Sequence, residues 1–361
     1  MTSKDLHKQP FSEETITKLD IFQKYLESWL PVAIQSPFIT EVNICDFFAG
    51  IGRDIKGTDG SPIRIIKTIK KFEDTILKQK LKIHILFNEY IPAKYQQLCD
   101  CISKEQEALK NLDSNLSIEI FNQDFKELFV SKKLSLENHF NLVFLDQSGI
   151  KQITEEIFLY LTKFHKTDFM FFISSSAFKR FASDASFQKY FPDIDLQKLS
   201  MTSQSGMHRL ILQYYRSKIP KESQLKLYPF TIKKGRNIYG LIFGSNHPLG
   251  VEKFLNIAWN TNELNGEANF DIDEDWKSAQ MLLFGNRKLS KKEKFQLELK
   301  EFILSKKEVY DFTLENEHII KNALPVIKEL VGKNKISYMG HHNISYNKCY
   351  KSKEIKMFKV L

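Results

Sequence analysis

The sequence has no apolar run of the roughly eighteen residues that a membrane-spanning helix needs, so an integral helical membrane protein is not expected. Its opening, MTSKDLHKQPFSEET, lacks an apolar core behind a basic end and does not read as a secretory signal, which makes a cytoplasmic location the default expectation. Cysteine is scarce. Cys45, Cys99, Cys101 and Cys349 are scattered, which argues against a disulfide framework or a zinc knuckle. Cys99 and Cys101 stand two apart in a helix-like stretch and so point to different faces. His247 and the pair His341-His342 have no companions at metal-ligand spacing, and no metal is expected. Internal repeats, low-complexity tracts and dense basic runs are also missing.

What remains is an ordinary globular composition, 42% hydrophobic and 27% charged, in 361 residues. That length permits two domains. The formal net charge is +9, spread over many lysines. An excess of this sign suits a polyanion such as nucleic acid, because each neutralised phosphate releases a counterion. A lysine-rich composition that merely keeps the chain soluble is the plain alternative.

From Val42 onwards short β-rich runs alternate with longer amphipathic segments, the pattern of a parallel sheet with crossover helices. Strands are expected at Val42–Phe48, Lys82–Phe87, Ser117–Phe121, Asn141–Leu145 and Asp168–Ile173. Helices are expected around Pro62–Lys80, Ile91–Leu112, Asp124–Lys132 and Gln152–His165, then at Ala177–Tyr190 and Ser205–Ser217. Two further β-rich runs, Tyr228–Ile232 and Ile238–Phe243, are joined by Lys-Lys-Gly-Arg-Asn, a hairpin signal. Together these predict an α/β fold: a Rossmann-like, mostly parallel sheet of the S-adenosylmethionine-methyltransferase type. A smaller, winged-helix-like helical segment follows it, with helices at Lys292–Ser305 and Glu317–Val331 and a β-like tail. The expected domains are an N-terminal helical extension (1–40), the Rossmann domain (41–260), a linker or insertion (261–291) and the C-terminal segment (292–361).

The strongest local signal is the run Val42-Asn-Ile-Cys-Asp46-Phe-Phe-Ala-Gly50-Ile-Gly52-Arg53. A strand ends at an acid, and two glycines follow that let the backbone take positive φ and approach a ligand. A dinucleotide turn would add a third glycine and a helix at once, with pyrophosphate on the helix end. Here the acid lies inside the turn, where it would repel a pyrophosphate. A cofactor bearing a sulfonium and an amine suits it better, so S-adenosylmethionine is favoured over NAD; a tight turn without a ligand is the alternative. Asp46, Gly50 and Gly52 are the first cofactor candidates.

Glu89 follows the second strand, where a carboxylate can meet a ribose diol, with Asn88 next in line if the strand ends earlier. Glu89 is equally suited to starting a helix. Asp124 could meet an adenine amino group while Phe125 packs on the ring, or Asp124 could simply cap a helix. Asp146 and Gln147 end the fourth strand at the position of a catalytic loop. Amino-methyltransferases often place Asp or Asn and two prolines there, and this chain has the acid with Gln147-Ser148 in place of the prolines. Arg53 and Lys56 in the glycine loop, and Lys179 and Arg180 after the triple serine Ser174–Ser176, are the candidate nucleic-acid contacts; Ser176 as a helix cap, with Lys179 and Arg180 on a solvated face, is the plain alternative.

In their order, the stretches DFFAGIGRD, DGSP, FNEY, LDQSGIK, FFISSSAFKRF and SNHPLGVEKFLNIAW resemble the three-Cys-motif partner protein family of bacteria and phages. They span roughly Val42 to Trp259, and the tail VYDFTLENEHIIKNALPVIKELV is similar to that family's C-terminal segment. The resemblance implies a methyltransferase-like fold, a link to mobile elements or phage defence, and a partner protein encoded nearby. The leading expectation is an S-adenosylmethionine-dependent methyltransferase acting on nucleic acid or a nucleic-acid-associated target. The alternative is a non-catalytic nucleic-acid-binding partner, or a defence effector, with a structural Rossmann domain.

Overall fold

The computed structural model describes residues 10–137, 139–147, 149–181, 187, 190–203, 206–234, 237–273, 289–302, 306–338, 344–351 and 358–360. It divides into two compact units, residues 1–246 and 247–361. The first unit is built on a seven-stranded sheet in the order β3-β2-β1-β4-β5-β7-β6. Its strands are β1 (Glu41–Asp46), β2 (Lys82–Asn88), β3 (Leu116–Phe121), β4 (Phe140–Leu145), β5 (Thr167–Ile173), β6 (Lys226–Lys234) and β7 (Asn237–Ser245). The first five are parallel, and β7 enters antiparallel between β5 and β6. The parallel part is the doubly wound Rossmann order, and the antiparallel pair gives it the methyltransferase-type ending.

Period two decides what each strand shows to each face. Cys45 of β1 and Phe47 just beyond it, Val143 and Leu145 of β4, and Phe169 and Phe171 of β5 enter one continuous cluster. Helices α5 (Phe125–Glu137) and α6 (Glu155–Lys163) pack into that cluster from the same side. Asp46, Phe144 and Met170 are register neighbours on the opposite face.

That opposite face is covered by α1 (Glu13–Gln35), with α2 (Ser61–Lys71) beside it. The acidic pair Glu13 and Glu14 suits the first turn of α1. Its buried residues Lys18, Phe22, Tyr25, Trp29 and Ala33 recur at helical spacing. Phe22 stacks on Phe144 at 4.2 Å, Trp29 on Phe140 at 4.7 Å, and Tyr25 tilts against Phe243 at 4.8 Å. The N-terminal extension is therefore one layer of this unit. Arg64 of α2 ties α1 to the glycine loop, bonding Asp20 Oδ1 at 2.6 Å, Gln23 Oε1 at 3.0 Å and the Asp59 carbonyl at 3.0 Å.

The helix expected at Pro62–Lys80 is broken at Phe72 into α2 and α3 (Glu73–Gln79). The next runs as α4 (Pro92–Gln106) and tightens to a 3₁₀ stretch, Glu107–Leu112. Two short helices, α7 (Ser175–Phe181) and α8 (Leu196–Met201), precede α9 (Met207–Ser217).

The second unit starts with α10 (Pro248–Thr261), so the division falls before this helix rather than at residue 260. The His247 side chain accepts from the Leu249 amide at its start. Then come α11 (Lys291–Phe302), α12 (Lys306–Glu315), α13 (Ile320–Gly332) and an antiparallel pair, β8 (Ile336–Tyr338) with β9 (Phe358–Val360). Sequence periodicity did not reveal α12. Trp259, Phe295 and His318 pack together, and Lys291 pairs with Glu267 and Glu317 at 3.1 and 3.0 Å. Among the described residues no helix is long and apolar enough to cross a membrane.

Candidate cofactor and acceptor site

Parallel strands bring their carboxyl ends to one edge, and there the candidate residues collect. Asp46 closes β1 and is fully buried. Its Oδ1 accepts from the Phe48 amide at 3.1 Å, and the Ser61 hydroxyl stands at the same carboxylate. Burial lifts its pKa to about 7, opposed by hydrogen bonding from Ser61 and the Phe48 amide and by the Lys18 charge, and reinforced by Asp146. A carboxylate buried with so few donors is costly to keep ionised unless a ligand adds to them.

The two glycines of the loop differ in role. Gly50 and Gly52 both take positive φ, 66° and 88°. A Cβ on Gly52 would lie 2.8 Å from Cys101 Sγ of α4, so this glycine serves close packing of loop on helix. The stretch after it is a fixed turn rather than a lid. Gly60 donates to the Gly52 carbonyl at 2.8 Å, and Asp54 accepts from the amides of Phe11, Lys56 and Thr58. Burial opposes ionisation of Asp54, but these donors outweigh it and hold its pKa below the usual value.

Asn88, the last residue of β2, is buried and spans two loops. Its Nδ2 donates to the carbonyls of Phe47 and Gln123, and its Oδ1 accepts from the Gln123 amide. That places Asn88 in a positioning role. Glu89 is half-buried beyond the strand, with Oε1 taken by the Ile91 amide at 2.8 Å. Beside it Tyr90 is 66% exposed, a ring at the sheet edge that the sequence reading did not single out.

For Asp124 the structure shows the capping alternative, and for Phe125 a core position in place of a stacking one. Asp124 caps α5, its Oδ1 meeting the Lys126 amide at 2.9 Å and its carbonyl the Leu128 amide at 3.0 Å. Phe125 belongs to the core, in ring contact with Phe47, Phe48 and Phe129. It presents no free face for an adenine.

At the end of β4, Asp146 is ion-paired through Oδ2 with Lys18 of α1, whose ammonium also lies 4.4 Å above the Phe172 ring. No local pattern in the sequence announced Lys18. Gln147 is buried; its Oε1 accepts from the Gln152 amide at 2.9 Å and from that of Ile153 at 3.4 Å, leaving Nε2 without a partner. Among the described residues this edge also carries the buried Ser175 hydroxyl, just after β5, which like the Gln147 amide has no hydrogen-bond partner.

The candidate basic contacts separate. Arg53 is engaged by Asp59 at 2.9 Å and Glu105 at 2.8 Å, so it holds the turn to α4 instead of awaiting a phosphate. Lys56 is exposed. Arg180 is exposed near the end of α7 and has interactions within the chain. Lys179 sits in α7, and its side chain lies outside the described residues. Of the serines before it, Ser176 is bonded in both directions to the Ile238 backbone. The pair His341-His342, and Ser148 in the turn after Gln147, also lie outside the described residues.

No family model matches this chain. No curated protein matches it either. Among solved structures it is similar to Trm1 from Pyrococcus horikoshii in complex with S-adenosyl-L-methionine, at 11% identity and a TM-score of 0.37. The match covers 67% of this chain and spans 59% of that protein's length. The architecture assigned above rests on the strand order alone.

Proposed function

We propose that this chain is an S-adenosylmethionine-dependent methyltransferase whose cofactor lies over the carboxyl ends of β1, β2 and β4. The observation that carries this reading is the Asp46 carboxylate, wholly buried at the edge where doubly wound sheets take ligands. The cofactor, when bound, supplies an activated methyl group on a sulfonium. Asp46 would accept from its ammonium group and Glu89 from its ribose hydroxyls, with the exposed Tyr90 ring available to a base. Asp146 and the unmet Gln147 amide stand on the acceptor side. Calorimetry with S-adenosylmethionine and its demethylated product tests this. The absence of both a heat of binding and a thermal shift at millimolar ligand would refute it.

For the acceptor we propose nucleic acid or a nucleic-acid-bound target, supported by the net charge of +9. Retention on DNA or RNA should then weaken as salt rises. Replacing Lys179 and Arg180 together with alanine should flatten the salt slope by about two if both touch phosphate. Retention of nothing at low salt would point to a different acceptor. The resemblance to three-Cys-motif partner proteins supports a role in phage defence or a mobile element, with a partner encoded nearby; co-purification with the neighbouring gene product tests it. A non-catalytic binding role is the second reading, favoured by Gln147-Ser148 in place of two prolines and by the ion pair already formed at Asp146. Cofactor binding without methyl transfer to any nucleic acid would support it.

A further inference from the structure

Lys18 is an unusual visitor to this edge. It belongs to α1, 128 residues before its partner Asp146, and its side chain is only 8% exposed. The sheet explains how it meets its neighbours. Asp46 is in register with Phe144, and Phe144 with Met170, along the face that α1 covers. Two residues further on, β4 leads to Asp146 and β5 carries Phe172, which puts both on the same face one row higher. Lys18 reaches this upper row and touches both, with the Asp146 carboxylate on one side and the Phe172 ring beneath. Asp46 lies one strand across and one row below, within range of both charges: Lys18 lowers its pKa and Asp146 raises it.

We propose that Lys18 sets the charge preference of the cofactor site, narrowing the advantage of the cationic sulfonium over the neutral thioether. The inference rests on the cofactor reading above. Two carboxylates at the ends of adjacent strands would by themselves select strongly for a cation. A fixed ammonium among them cancels one negative charge and repels a second cation brought into the same space. S-adenosylmethionine and S-adenosylhomocysteine differ by one methyl group and one positive charge, so the ratio of their affinities isolates this effect.

The test is calorimetry of both ligands on the full chain, wild type against Lys18→Met, Lys18→Arg and the double variant Lys18→Met/Asp146→Asn. Lys18→Met should move the affinity ratio toward the sulfonium by about tenfold. Lys18→Arg keeps the charge and should leave the ratio where it was. The double variant removes one charge of each sign and should bring the ratio back toward wild type, an outcome that loss of a merely structural tie would not produce. It also avoids stranding the Asp146 carboxylate if Lys18→Met alone folds poorly. Binding of both ligands with an unchanged ratio in Lys18→Met and the double variant overturns the proposal while leaving the cofactor reading intact. Binding of neither ligand to the wild type overturns both.

Discussion

Replacing Asp46 with asparagine should make the protein more stable and, at the same time, unable to hold its cofactor. In the folded chain the Asp46 carboxyl has a pKa of about 7 against an ordinary value of 3.8, chiefly because it is buried. Each tenfold change in acidity corresponds to about 1.4 kcal/mol, so ionising this group in the folded state costs on the order of 4 kcal/mol. The folded chain binds the proton more tightly than the unfolded chain does. Stability is therefore lost as pH rises from about 4 to about 7, and the full penalty persists above that. Asparagine is isosteric, keeps an oxygen for the Phe48 amide and carries no charge. Asp46→Asn should raise the urea midpoint most at about pH 8, less near neutrality and hardly at all near pH 4. The same variant should lose affinity for S-adenosylmethionine, since the ligand's ammonium would meet a neutral amide. Stability gained where binding is lost is the mark of a residue retained for its ligand. A gain that does not vary with pH, or a loss of stability at about pH 8, would refute the argument about Asp46.

Three further outcomes can be checked. Gly52→Ala should lower stability by about 1–3 kcal/mol in denaturant melts, because the new Cβ meets Cys101 Sγ at 2.8 Å and the backbone has φ of 88°. Glu89→Gln retains an oxygen for the Ile91 amide, so it should leave the melting temperature alone while weakening cofactor binding by about 1–2 kcal/mol in calorimetry. Arg53→Ala should cost about 1 kcal/mol of stability through its two part-exposed carboxylate partners, yet leave the salt slope of nucleic-acid binding unchanged.

Local pattern made the sheet readable. The five parallel strands fall within two residues of their expected ends because a buried strand is a short, dense apolar run bounded by polar turns, as Phe140–Leu145 shows. Helix ends were less legible. The bend at Phe72 and the helix Lys306–Glu315, rich in β-branched and aromatic residues, have no strong caps or breakers to announce them. In the site, Asp46 and Glu89 could be named because a strand end fixes their place. Side-chain roles set by distant partners could not. Arg53 looks free until Glu105 arrives from 52 residues away, and Phe125 looks like a stacking ring until Phe47 and Phe129 close on it. Lys18 stands in what reads only as a helical extension, and its meaning depends on Asp146 and Phe172.

The position of α1 also bears on how the chain is made. Its buried row is synthesised before its partners: Phe22, Tyr25 and Trp29 settle on residues of β4, β5 and β7, with Tyr25 bonding Asp168 from 143 residues away. Until those strands are synthesised and paired, the apolar side of this helix has nothing to cover. A helix made before its partners must dock late, and closing so long a loop is slow. During that interval the nascent chain carries an exposed amphipathic helix, a face open to non-native association until β7 is in place.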